Sequence, residues 1–151
     1  MIGHLQSLFS RIRRRVSGGG SKPAGARTEA QRLGDEGESR ALEALRNRGL
    51  RLLARNWRAD RGELDLIMRE GGIVVFVEVR THHGSPVKAY ASVGRKKRRV
   101  LRRTAKAYLR QLRDRPRTVR FDIVAVDLDT PGRDGVHHFR EIPLFGKHFV
   151  P

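Results

Sequence analysis

The chain has 151 residues, with 33 Lys and Arg against 16 Asp and Glu and a formal net charge of +17; that length allows one domain with an appendage, and so large an excess of one sign points to a polyanionic partner, nucleic acid or an anionic membrane surface. The lack of cysteine excludes disulfides, thiolate nucleophiles and thiolate-bound zinc, and suits a reducing cytoplasm. No apolar run approaches the ~20 residues that cross a bilayer, and the apolar positions near the start precede Arg13-Arg14-Arg15, the reverse of an export signal.

Residues 1–28 are expected to form a basic, flexible arm. Ile2, Leu5, Phe9, Ile12 and Val16 recur at helical spacing, so residues 1–16 would suit contact with a membrane surface or a partner. A helix this short is marginal in water, however, and Ser17-Gly18-Gly19-Gly20-Ser21 would end it. The folded domain is expected over residues 29–128. Thr28 and Gln31 form a capping box, and Ala41, Leu42, Ala44 and Leu45 continue a helix to Arg48 with Gly49 as its cap, although Gly34 and Gly37 weaken the first turns. Leu50–Trp57 reads as a strand and Arg58–Arg61 as a turn. Gly62–Ile67 and Ile73–Arg80 read as a hairpin across a Met68–Gly72 turn. His82–Pro86 reads as a loop. Ser92–Arg113 reads as a helix with Val93, Val100, Leu101, Ala105, Tyr108, Leu109 and Leu112 as its apolar stripe. Thr118–Leu128 is a buried strand, and residues 129–151 add a turn, an edge strand over Val136–Ile142 and a loose end. The order α-β-β-β-α-β predicts an α/β fold, a mixed sheet flanked by helices.

The hairpin carries the chemistry. Asp65 and Glu78 stand among apolar neighbours on adjacent strands, where a lone carboxylate is costly to bury unless something compensates it. Cross-strand neighbours lie ~5 Å apart, or ~7–8 Å on the diagonal, so both carboxylates can share one hard cation. Mg²⁺ (or Mn²⁺) suits such a pair, because it keeps several waters and completes its shell with substrate phosphate. Arg80, two residues after Glu78, leaves the strand on the same face and can stabilise phosphoryl charge, but stays protonated and cannot be a general base. The plainer alternative is a pair of carboxylates salt-bridged to arginine. Glu63 reads as a surface residue paired with Arg61. Asp122 reads as structural, bonding Arg120 or a backbone amide. His82-His83 reads as an ordinary loop, and Trp57 and Phe76 read as core.

The same residues resemble a known family. Gly37-Glu38, Arg55-Asn56-x-Arg58, Gly62-Glu63-Leu64-Asp65-Leu66-Ile67, Phe76-Val77-Glu78-Val79-Arg80, Lys97, Ala105-x-x-Tyr108-Leu109 and Arg120-Phe121-Asp122 look, in that order, like the UPF0102 (YraN-type) family. A carboxylate strand, a turn and Glu-x-cation on the next strand are similar to the PD-(D/E)xK nucleases and the archaeal Holliday-junction resolvases. The resemblance spans roughly Thr28 to Asp127. It implies a restriction-endonuclease-like αβββαβ core, with Asp65 and Glu78 as metal ligands and the backbone carbonyl of Val79 as a third. It also implies that Glu38 reaches the site from the first helix. Where the superfamily has Lys this chain has Arg80, which keeps the charge but not the compact ammonium. A homodimer is implied too, since resolvase-like proteins act on two-fold junctions.

From Lys88 to Arg120 there are fourteen Lys and Arg and one acid, Asp114. Arg95, Arg98 or Arg99, Arg102, Lys106 and Arg113 recur at intervals of three, four or seven that share a helical face, with Lys97 in the same run; an unmixed basic face suits a row of phosphates. Few aromatics argue against a single-strand stacking platform. The expected activity is metal-dependent endonucleolytic cleavage of branched or duplex DNA, with DNA favoured over RNA. The alternatives are a non-catalytic nucleic-acid-binding protein on the same fold, or a membrane-associated adaptor working through residues 1–16.

Overall fold

In the computed structural model, residues 27–145, 149 and 151 are described. The expected arm is almost entirely outside them. Five strands form one sheet in the order β1-β2-β3-β4-β5, comprising Arg51–Ala59, Gly62–Glu70, Ile73–His82, Thr118–Asp127 and Val136–Phe139. All neighbours are antiparallel except β3 and β4. A parallel pair needs a crossover, and two helices supply it: α2 (Pro86–Ala91) and α3 (Arg95–Gln111). α1 (Glu29–Asn47) covers the opposite face of the sheet. This is the mixed, helix-flanked, restriction-endonuclease-like arrangement expected from the sequence, with α2 as an addition.

The boundaries differ in instructive ways. The capping box forms as expected, Gln31 N–H donating to Thr28 Oγ1 at 3.2 Å and Thr28 N–H to Gln31 Oε1 at 3.0 Å. α1 nevertheless runs unbroken through Gly34 and Gly37. Gly37 is needed for approach, because a Cβ there would overlap the Thr81 methyl of β3. The two hairpin turns are tighter than the sequence suggested. β1 continues to Ala59 and β2 to Glu70, leaving two-residue connections at Asp60-Arg61 and Gly71-Gly72. His82 closes β3 instead of opening a loop, and α3 begins at Arg95 rather than Ser92. The described residues near the end of the chain are docked, where the sequence suggested a loose end. Ile142 N–H donates to Phe121 O at 2.8 Å, Leu144 is buried, and the Phe145 ring stacks on Phe149 at 4.4 Å.

The sheet has a core on each face. On one, Ala41, Leu42 and Leu45 of α1 meet Leu66, Met68, Val75, Val77, Val124 and Val126. On the other, Leu101, Ala105, Tyr108 and Leu109 of α3 meet Trp57, Leu64, Ile67, Phe76, Phe121 and Ile123. Trp57 and Phe76 are core residues as expected, and both meet Tyr108 edge-on, at 5.3 and 5.9 Å between ring centroids. α3 sits close over the start of β2, where a Cβ on Gly62 would collide with the Thr104 hydroxyl. Each helix that carries a candidate site residue is thus seated where a glycine leaves room.

Candidate active site

The site forms where the ladder of the sheet is interrupted on both sides of β2. Arg55 pairs with Leu66 and Trp57 with Leu64, which sets Asn56 opposite Asp65, yet that one pair is missing. Asn56 has left-handed backbone there, with φ 50°. On the other side, β2–β3 pairing runs from Glu70 and Ile73 to Leu66 and Val77 and stops one step before Asp65 would meet Glu78. Instead, the Asp65 carboxylate stands in for a main-chain acceptor, its Oδ2 taking the Val79 N–H at 2.8 Å. The side-chain alternation also slips here: Leu64 and Ile67 both pack into the α3-side core, an interval of three that a regular strand would not allow. Asn56, Asp65 and Glu78 therefore form one row across three strands.

Glu78 follows Phe76 on the face toward α3 and is 1% exposed. Its Oε1 meets Lys97 Nζ at 3.0 Å and Arg80 Nε at 3.4 Å. Its Oε2 is buried without a hydrogen-bond partner. Burial, and after it the charge of Asp65, push the Glu78 carboxyl up to about 7 despite Lys97 and Arg80. Burial likewise raises Asp65, against the bond from Val79 N–H. Glu38 reaches the row from α1. Arg55 Nε donates to its Oε2 at 3.0 Å. Burial, partly opposed by Arg55, raises its pKa, and the charge of Asp65 adds to the rise. Glu38, Asp65, Glu78 and Arg80, named from the sequence, are thus brought into one electrostatic neighbourhood, and Val79 is joined to it through its N–H.

The donor set fits a hard cation of the Mg²⁺ type. Among the described residues no group of three or more His, Asp and Glu side chains is arranged to hold a metal. A pair of carboxylates, one with an unpartnered buried oxygen, is what a cation that keeps several waters requires.

The sequence model of the family described as "Uncharacterised protein family UPF0102" matches residues 37–126, the span that holds this row. The chain belongs to this family. A UPF0102 protein of Halorhodospira halophila is 47% identical over 106 residues, covering 70% of this chain and 85% of the relative. One of Alkalilimnicola ehrlichii is 50% identical over 101 residues, 65% of this chain and 79% of the relative. One of Symbiobacterium thermophilum is 43% identical over 110 residues, 70% of this chain and 88% of the relative.

In this UPF0102 chain the cations of the basic helix do not all face solvent. Arg95, Arg99 and Arg102 are exposed, together with Lys96, Arg103 and Arg110. Arg98 turns inward, its Nε donating to Val93 O at 2.9 Å and its guanidinium lying over the Tyr90 ring. Lys106 is half-buried over the Phe149 ring. Lys97 leaves the exposed row altogether and lies on Glu78. Periodicity alone placed Lys97 with its neighbours. Only the seating of α3 over the hairpin reveals where its first turn points. Asn56 and Arg55 were legible as a motif but not as a contact to Glu38. No transmembrane-length apolar helix occurs among the described residues.

Other assignments resolve too. Glu63 pairs with Arg58 at 3.0 Å, not with Arg61. His83 meets Asp129 at 2.9 Å. Asp122 is structural, as expected, and more heavily used than expected. It accepts from Arg120 Nε at 2.9 Å, His138 Nε2 at 2.8 Å and Glu141 N–H at 3.0 Å, while Arg120 also binds Glu70.

Proposed function

We propose that this chain is a metal-dependent endonuclease that binds branched or duplex DNA along the exposed cations of α3 and hydrolyses phosphodiester bonds at the Asp65–Glu78 row. The observation that carries this reading is Glu78, buried on a strongly basic protein, with one oxygen unpartnered and the other facing two cations. Structural ion pairs do not need an orphaned carboxylate oxygen. Asp65, Glu78 and the carbonyl of Val79 would hold Mg²⁺ or Mn²⁺, which when bound polarises a phosphoryl oxygen and lowers the pKa of a water. Lys97 and Arg80 supply fixed positive charge beside the reacting phosphate. Lys97 provides the compact ammonium that the strand lacks at Arg80. Glu38 adds negative charge on the side of Asp65 away from β3. Trp57 and Phe76 lie in the core and give no stacking surface, which favours duplex over single-stranded ligand.

A cleavage assay in Mg²⁺ and Mn²⁺ tests the reading, with linear duplex, flap, four-way junction and structured RNA as substrates and Asp65→Ala and Glu78→Ala beside the wild type. Metal-dependent cutting lost in both variants is the expected result. One observation favours a second reading, a non-catalytic binder: the Lys97–Glu78 ion pair competes with a cation for Oε1. Salt-sensitive DNA binding without cutting, retained by both variants, would establish that alternative.

A further inference from the structure

Asn56 combines three observations that the proposed chemistry does not use. It is a non-glycine residue with positive φ in the middle of a strand, a conformation that persists only where its surroundings over-determine it. It stands at the one missing pair of the β1–β2 register beyond the β1 irregularity, opposite Asp65. Its amide lies between Glu38 and the main chain of Asp65. The surrounding acceptors assign the nitrogen to the inward position, since an inward oxygen would face only acceptors. In that orientation the amide donates to Glu38 Oε2 at 2.8 Å and to Asp65 O at 3.3 Å. Together with Arg55 Nε at 3.0 Å, this gives one carboxylate oxygen of Glu38 two donors from consecutive residues of β1. Arg55 reaches Glu38 of α1 whereas Trp57 packs into the α3-side core, so the left-handed residue between them accommodates a change of face, and Asn tolerates that backbone better than other side chains long enough to reach.

We propose that Asn56 is a positioning residue of this site, fixing Glu38 beside Asp65 by donating its side-chain amide to Glu38 Oε2 and the Asp65 carbonyl. Asn56 ties α1 to the row where the sheet itself makes no bond. Without it, Glu38 keeps one flexible tether, Arg55, and is free to turn toward solvent. The metal-binding and kinetic parts of the test rest on the nuclease reading; the stability and exchange parts do not.

Asn56→Gly is the variant to use, because glycine adopts the positive φ without strain and lacks the amide. Its circular dichroism spectrum and melting temperature should stay near those of the wild type. Nitrogen-15 spectra of the wild type should show Asn56 side-chain amide protons protected from exchange. Glu38→Ala should abolish that protection, and Glu36→Ala on the same helix should leave it intact. Calorimetric titration with Mn²⁺ should show about 10-fold weaker binding in Asn56→Gly, the usual scale for losing a group that orients a site carboxylate. Cleavage by Asn56→Gly should fall about 10-fold in kcat with DNA affinity unchanged, and by no more than about two-fold further in a Glu38→Ala background. An Asn56 amide that exchanges freely, or is indifferent to Glu38→Ala, overturns the inference. So does an Asn56→Gly effect that adds in full to Glu38→Ala. If no substrate is cut, the nuclease reading fails, and the exchange measurement still decides the role of Asn56.

Discussion

Glu78→Gln is expected to stabilise the metal-free protein at pH 8 and to have little effect at pH 5. Burial and the charge of Asp65 hold the folded-state pKa of Glu78 at about 7, against 4.5 for an ordinary glutamate. Between those values the folded chain keeps a proton that the unfolded chain has released, so stability falls as pH rises through this window. The gap, 7 less 4.5, corresponds to about 3 kcal/mol in full, of which about 2.5 kcal/mol develops between pH 5 and pH 8. Glutamine has nothing to titrate. Lys97 is 35% exposed and can return to water, so the loss of its partner costs little. The advantage of the variant over wild type should therefore grow by about 2.5 kcal/mol from pH 5 to pH 8, on the order of 10 °C in melting temperature. Urea unfolding of both proteins in chelator at the two pH values measures this directly. Adding Mg²⁺ at pH 8 should then stabilise the wild type alone. A variant whose advantage is the same at both pH values, or one less stable at both, would refute the idea that burial holds this carboxyl above its usual range.

Three further outcomes follow from the packing and charge. Gly37→Ala should destabilise by about 1–3 kcal/mol through overlap with the Thr81 methyl, and adding Thr81→Ser should restore or exceed wild-type stability in thermal unfolding, since the alanine then contributes its helix propensity unopposed. Asp122→Asn should cost about 3–5 kcal/mol near neutral pH by leaving buried Arg120 with Glu70 as its remaining partner. Burial would raise the Asp122 pKa, but the bonds from His138, Arg120 and Glu141 N–H outweigh it and lower the value below 3.8, so the wild type should shed this stability as pH falls below 3.8 and the variant should not. Replacing Arg99 and Arg102 by Ala should weaken duplex binding and lower the slope of log affinity against log salt by about 2, measured by fluorescence anisotropy.

Element types and order were readable because they follow from periodicity and turn chemistry. The Thr28–Gln31 capping box and the apolar alternation around Phe76 are local signals, and both formed as expected. Asp65 and Glu78 were readable because charge in an apolar strand contradicts its surroundings. Lys97 was readable as part of the basic run but not as a partner of Glu78. Its position depends on how closely α3 approaches β2, which Gly62 and Thr104 set from residues far along the chain. α2 was missed because six residues are too few for a periodic signal, and the end of the chain because its docking to Phe121 and Phe76 is tertiary. The tight hairpins were longer than expected because Arg58, Met68 and Arg69 are tolerated in strand once their partners fix the register.

The gaps on either side of Asp65 have a consequence for motion. A strand bonded along both edges opens only with the rest of its sheet, whereas β2 pairs with β1 alone from Gly62 to Leu64 and with neither neighbour at Asp65. Its parting from β3 requires the loss of a few side-chain bonds, chiefly the one from Val79 N–H to Asp65, while Leu64 stays in the α3-side core and its pairing with Trp57 of β1 is kept. Amide hydrogens at Asp65 and Val79 should thus exchange through a local fluctuation much cheaper than global unfolding, while those of Phe76 and Val124 exchange only when the whole domain opens. The row holding the carboxylates is then also a seam of the sheet that can open without unfolding the domain around it.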